Sequence, residues 1–285
     1  MDGSGLTARA DAPWNPLRSD GTSLPPGWLL AAKLLAFAVF RGPRFLGAGP
    51  PFLPFVPALD SPWFAAWLAP VTAAVFYASF LCLCFNRIVQ PACLVIAGCV
   101  LVHVAGHRLE YANNLMFASA FLLLIGLYDA RAGLWPLRIQ LALVYGGAGL
   151  NKALDSDWWN GRFFDALMID ALGIRWYAAV AGSLPGHSLG VVLGVAGIVA
   201  EATICATVLV SRNGRVGVLL MLLFHVSMLV ATSGQLSLPF AYASLAVSAA
   251  FFYSPSPASA PWIVPAMWWM AALCIRAIPH MLSLL

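Results

Sequence analysis

A chain of 285 residues that is 61% hydrophobic and 9% charged cannot cover a globular surface in water, where about a quarter of residues carry charge. That excludes a soluble enzyme, a disordered scaffold and a nucleic-acid binder, and it implies an integral membrane protein. The net charge of +4 is no basic patch, because the arginines are scattered singly and read as topology marks.

Residues 1–27, with Asp2, Arg9, Asp11, Arg18, Asp20, Pro25 and Pro26, read as a flexible polar tail without a signal-peptide pattern. Residues 28–285 read as one all-α transmembrane domain with no internal repeat. A bilayer core about 30 Å thick takes about 20 apolar residues as a helix, and a helix satisfies its own backbone there. Nine candidate spans follow in order: Trp28–Phe40, Trp63–Phe85, Ile88–Gly106, Asn113–Leu127, Leu134–Lys152, Ser188–Val210, Val216–Thr232, Leu236–Tyr253 and Pro261–Leu285. The first is short and carries Lys33, so it is tilted, half-embedded or continued past Arg41. Gly49–Pro57 and Ser254–Pro261 punctuate two connections. Cys82, Cys84, Cys93, Cys99, Cys205 and Cys274 lie in apolar runs without a C-x-x-C pair and read as small buried hydrophobes.

Short loops on one side collect Arg9, Arg18, Arg87, Arg131, Arg212 and Arg215, against Arg41, Arg44 and Arg108 on the other. That asymmetry places the amino terminus in the cytoplasm; with no targeting segment, a bacterial inner membrane is the default. The long connection 153–187 then lies outside. It holds Asp155, Asp157, Asp165 and Asp170 with Trp158, Trp159, Arg162, Arg175 and Trp176, and Arg162–Gly182 is patterned as an interfacial helix.

Ionisable side chains inside spans are costly and count as functional candidates. Glu201 lies ten residues before the turn Ser211–Arg215 and His225 ten residues after it, so both sit about 15 Å from that turn. They are expected to pair, either as a structural hydrogen bond between helices or as an acid/base couple. His103, His107 and Glu110 have a spacing that could ligate a metal, or else one interfacial and one hydrogen-bonded histidine; no metal is expected. Asn113 and Asn114 stand at a helix start, where capping is the plain explanation. At the end of the fifth span, Gly146, Gly147 and Gly149 permit close helix approach. Lys152 follows on the face of Tyr145, as a snorkelling anchor or as a reactive amine.

The block Gln140-x4-Tyr145-x2-Ala148-Gly149-x2-Lys152, followed by Asp155-x-Asp157-Trp158-Trp159-x-Gly161, resembles the signature of the HTTM superfamily, the membrane part of vitamin K-dependent gamma-carboxylase and its bacterial relatives. Glu201 and Phe224-His225 agree with it. The resemblance implies that Lys152 is the base acting on a vitamin K-like quinol, with Glu201 and His225 in the catalytic set. It further implies that Asn113, Asn114, Tyr145 and Trp158 bind the quinol. The sequence departs from the family pattern at Leu115, where the family has histidine, and at Asn151, where it has a second lysine. One extra residue precedes Asp155, and the sequence ends at Leu285 without the carboxylase's large lumenal domain. The expected activity is therefore quinol-linked chemistry or modification of a partner polypeptide at the outer leaflet, with a secreted peptide or a separate soluble domain as partner besides membrane lipids. The alternatives are a non-catalytic maturation scaffold and a DoxX-like thiol–quinone component. The predicted topology is checked by reporter fusions: one after Arg212 reads cytoplasmic and one after Asp165 external, and both on one side would overturn the span count.

Overall fold

A computed structural model of the chain describes residues 24–40, 54–55, 57, 60–236 and 238–253, and all regular elements among them are helical. They are α1 Pro26–Phe40, α2 Pro62–Cys84, α3 Val89–Gly106, α4 Asn113–Gly126, α5 Trp135–Leu154, α6 Ser156–Trp159, α7 Arg162–Asp165, α8 Arg175–Gly182, α9 Ser188–Val210, α10 Arg215–Ala231 and α11 Leu238–Phe252. Eight of the nine candidate spans coincide with α1–α5 and α9–α11; the ninth, Pro261–Leu285, lies outside the described residues, as do Arg41, Arg44 and nearly all of the 1–27 tail.

Three helices among the described residues, α2, α3 and α9, are long and apolar enough to cross a membrane. The outward faces of α2 and α9 leave Trp63, Trp67, Val71, Val75, Val192, Val199 and Val210 uncovered, the kind of continuous apolar surface that lipid would cover. The apolar helices α1, α4, α10 and α11 have 15, 14, 17 and 15 residues. At 1.5 Å per residue they reach roughly 21–26 Å, short of a full hydrocarbon core.

The first expected span turns out to be central. Trp28 through Ala36 are all buried, because α1 packs along α11 and against α2, α3 and α4. Lys33 is accordingly met by protein: its Nζ donates to the Cys84 carbonyl at the end of α2, 3.3 Å away. Other helix ends are closed the same way. Arg138 of α5 donates from Nε to the Val208 carbonyl (2.8 Å) and from a terminal guanidinium nitrogen to those of Leu209 (2.6 Å) and Ser211 (2.7 Å). Arg215 donates to the carbonyl of Phe251 at 2.9 Å. The last carbonyls of a helix have no partner within it, and cations there also meet the negative end of its dipole.

The connection 153–187 forms a cap at the end of the bundle opposite the turn 211–214. It is not the single interfacial helix expected over Arg162–Gly182. α7 runs into a π-helical stretch Ala166–Ala171 and stops at Gly173, whose φ of +61° ends the helix before α8 begins. The pieces fold around Phe164, Met168, Ile174 and Tyr177. Asp165 accepts a hydrogen bond from the Tyr177 hydroxyl (2.5 Å) and pairs with Nδ1 of His187 (2.5 Å). Burial alone would raise the Asp165 carboxyl, but these two partners outweigh it and hold it below the usual carboxylate range.

The cap sits on α9 because Gly190 and Gly194 present no side chain there. A Cβ on Gly190 would collide with the Gly161 carbonyl, and one on Gly194 with the Trp158 carbonyl. Gly194→Ala is therefore expected to cost about 1–3 kcal/mol of stability. Gly98→Ala on α3, where a methyl meets nothing within 4 Å, should be neutral or stabilise by up to about 1 kcal/mol. Thermal unfolding of both variants in detergent checks the contrast, and equal melting shifts would refute it.

Candidate functional site

The site is built on α5, whose positions 145, 149 and 152 share one face, as residues four and seven apart do on a helix. Gly149 lets α9 come close: a Cβ there would lie 3.4 Å from Cβ of Glu201 and 3.7 Å from the Ile198 carbonyl. At Gly146 it would lie 3.1 Å from Sγ of Cys205. Gly147 differs from the expectation. Nothing lies within 4 Å of its Cβ direction, and it lines a cavity and does not contact α9.

Less than one turn past Gly149, Lys152 reaches α9. Its Nζ donates to both carboxylate oxygens of Glu201, at 2.6 and 2.7 Å. The Glu201 side chain is only 7% exposed and that of Lys152 21%, so the pair is largely withdrawn from solvent. The expected pairing of Glu201 with His225 is thereby corrected. Equal depth was inferred from the α9–α10 turn, but the partner of Glu201 comes from α5, which the glycines bring close against α9. His225 is instead hydrogen-bonded through Nε2 to the Tyr145 hydroxyl at 2.6 Å, and its ring stacks on Phe240 with centroids 5.6 Å apart.

Neither aspartate after α5 competes for the lysine. Asp155 accepts from the backbone N–H of Asp157 at 3.0 Å and so caps α6. Asp157 accepts from Nδ2 of Asn160 at 3.3 Å. Both are exposed. Trp158 lies over the ammonium, 5.0 Å from Nζ to the ring centre, a cation–π distance. The indole is held by stacking on Phe163 at 4.1 Å.

A cavity of about 660 Å³ opens beside the ion pair. Its walls are Asn113, Met116, Phe117 and Ala120 of α4, and Gln140, Val144, Tyr145, Gly147, Ala148, Asn151 and Lys152 of α5. Glu201, His225 and Phe240 complete it. Five sequence candidates thus share one chamber: Asn113, Tyr145, Lys152, Glu201 and His225. Trp158 stands over Lys152 without lining that chamber. Asn114 does not join them; it faces a second pocket between α1, α4 and α11. Nor is the asparagine pair the helix cap, which is Ala112 without a side-chain bond. Gln140 and Asn151 were not among the candidates. Both fall inside the block that carried the resemblance, and their signal was polarity on a helix otherwise facing apolar neighbours.

His103 and His107 lie away from this chamber, with rings stacked at 4.7 Å and the Nδ1 of His107 hydrogen-bonded to the His103 carbonyl at 3.2 Å. The side chain of Glu110 lies outside the described residues. Among those described, no group of three or more His, Cys, Asp or Glu could hold a metal ion.

No family model matches this chain, and no curated protein or solved structure is significantly similar to it.

The arrangement can hold, deliver and accept a proton. One ammonium and one carboxylate neutralise each other at the chamber wall, and a phenol–imidazole pair lies about 10 Å further along α5, seven residues away at 1.5 Å each. Removing one member of a withdrawn ion pair strands the other, which costs more than removing both. Lys152→Met is accordingly expected to destabilise by about 2–4 kcal/mol, and Lys152→Met with Glu201→Gln by clearly less. Melting temperatures of the single and double variants check this; strictly additive losses would show that the pair is not coupled.

Proposed function

We propose that this chain is a multi-pass membrane protein of the gamma-carboxylase-like HTTM type, with up to nine spans and a cytoplasmic amino terminus. We place it in a bacterial inner membrane, where it binds a lipophilic quinol beside Lys152. The observation that supports this reading is the Lys152–Glu201 pair at the wall of an open chamber that also presents Tyr145, His225 and Asn113. The residues fit such a molecule: flat aromatic walls from Phe117 and Phe240, polar groups at both ends, and no net charge once the pair is formed. Bound there, a quinol would supply acidic hydroxyl protons and reducing electrons.

The work of the protein's own residues follows from the geometry. Lys152 becomes a base when its extra proton passes to the Glu201 carboxylate 2.6 Å away, leaving a neutral amine turned to the chamber. That amine takes a hydroxyl proton from the ligand. Glu201 is then the neutral acid that stores the first proton, and desolvation of the pair favours the uncharged forms of both partners. Trp158 and the cap above it exclude water from the exchange. Modification of a partner polypeptide supplied from outside would use the same amine.

A second reading is favoured by one feature: both oxygens of Glu201 are already taken up by Lys152, as a purely structural anchor would have it. The chain would then be a membrane maturation partner for a secreted peptide, without chemistry of its own. Quinol-dependent turnover in proteoliposomes separates the two. Lys152→Ala and Lys152→Arg are both expected to fall at least a hundredfold, since general base catalysis contributes about 10²–10⁴. Arginine still holds Glu201 but cannot accept a proton at neutral pH. Full activity in Lys152→Arg would overturn the base, and absence of turnover in the unaltered protein would leave the scaffold.

A further inference from the structure

Two cavities open on opposite faces of α4 and α11, and one pair of rings stands between them. The Lys152 chamber takes Asn113 and Phe117 from α4 and Phe240 from α11. A smaller pocket, of about 140 Å³, takes Asn114 and Ala118 from α4, Tyr242 and Ala243 from α11, and Phe37 from the end of α1. Phe117 and Phe240 meet edge to face with centroids 6.0 Å apart. Rotation about their side-chain torsions would part them without moving either helix. The two spaces differ in chemistry. The chamber is walled by charged and amide groups, whereas the pocket is mostly apolar and of the size that accepts a benzene-like group of about 150 Å³.

A bilayer-soluble molecule with a polar ring also brings an apolar tail. With the ring beside Lys152, the nearest enclosed apolar space lies across the Phe117–Phe240 pair. We propose that chamber and pocket form one site for such an amphiphile, its ring between Lys152 and Phe240 and the first segment of its tail in the α1–α4–α11 pocket, with Phe117 and Phe240 as the gate the tail passes. The adjacent asparagines then serve the two halves, Asn113 at the ring and Asn114 at the tail. This rests on the reading of the chamber as a quinol site.

The test is titration calorimetry on the full chain in lipid nanodiscs, with menadione as a tail-less naphthoquinone and its counterpart carrying a short isoprenoid tail. Burying a tail segment of several carbons is worth roughly tenfold or more in affinity. Ala118→Leu, which fills the pocket, is expected to weaken the tailed probe about tenfold and to leave menadione within about twofold. Ala38→Leu, in the same pocket near the end of α1, reads the same quantity should Ala118→Leu fail to fold. If both variants bind the tailed probe as the unaltered chain does, or weaken both probes equally, the tail is not in this pocket, and the chamber reading survives. If the unaltered chain binds neither probe, the chamber reading falls and the joined site falls with it.

Discussion

Lys33, Arg138, Lys152 and Arg215 carry charge into a body that is otherwise apolar, and each is met by groups from a different helix: the end of α2, the end of α9, Glu201, and the end of α11. An isolated charge in such surroundings costs many kilocalories per mole, so its partner must already be in place when the helices assemble. This requirement fixes which helices are neighbours. Arg138 ties the start of α5 to the end of α9, and Lys152 ties the end of α5 to the middle of α9, so the same two helices are clamped at two heights. The α5–α9 pair is the frame on which the chamber hangs.

The clamp depends on how near the backbones come. Gly146 and Gly149 bring α5 onto α9, and Gly190 and Gly194 bring the cap onto the same helix further along. Lysine and glutamate side chains are long, but only a close approach lets the ammonium contact both carboxylate oxygens at once. Close packing through small residues is how helices associate where lipid supplies no hydrophobic drive. α9 thus presents a small-residue stripe to the cap and a carboxylate to α5, while its valines remain on the outside.

Much of this was legible in the residues, and the parts that were not share a cause. Apolar runs located eight helices to within two residues at most ends, because hydrophobic burial sets where a helix can lie. Depth along a helix was also legible: Glu201, His225 and Tyr145 do lie about level. The direction in which each side chain points around its helix was not, since that depends on which neighbour packs on which face. Consecutive α9 and α10 suggested Glu201 with His225, but α5, earlier in the chain, is the helix that meets the carboxylate. The same blindness put Asn114 with Asn113, although residues one apart on a helix diverge by about 100°. The break in the cap at Gly173 is different in kind. An amphipathic pattern continues across it, and only the positive φ of one glycine shows that the helix turns there.

Two polar couples facing one chamber also divide the labour that each could perform. Lys152 and Glu201 differ by a full charge on each partner, so a proton moved between them removes two charges from the chamber wall at once. Tyr145 and His225 can share a proton with neither group charged, which changes the local field far less. An ammonium–carboxylate couple responds to a ligand that brings charge or acidity, because the ligand alters the balance between the charged and neutral forms of the couple. A phenol–imidazole couple responds to a ligand that brings a hydrogen-bond donor or acceptor of fixed direction. With Phe240 stacked on the imidazole and edge-on to Phe117, that second couple also feels any movement of the rings between the two cavities. The chamber therefore has a charge-sensitive end beneath the cap and a shape-sensitive end deeper in the bundle, and a ligand long enough to touch both would report its position to each.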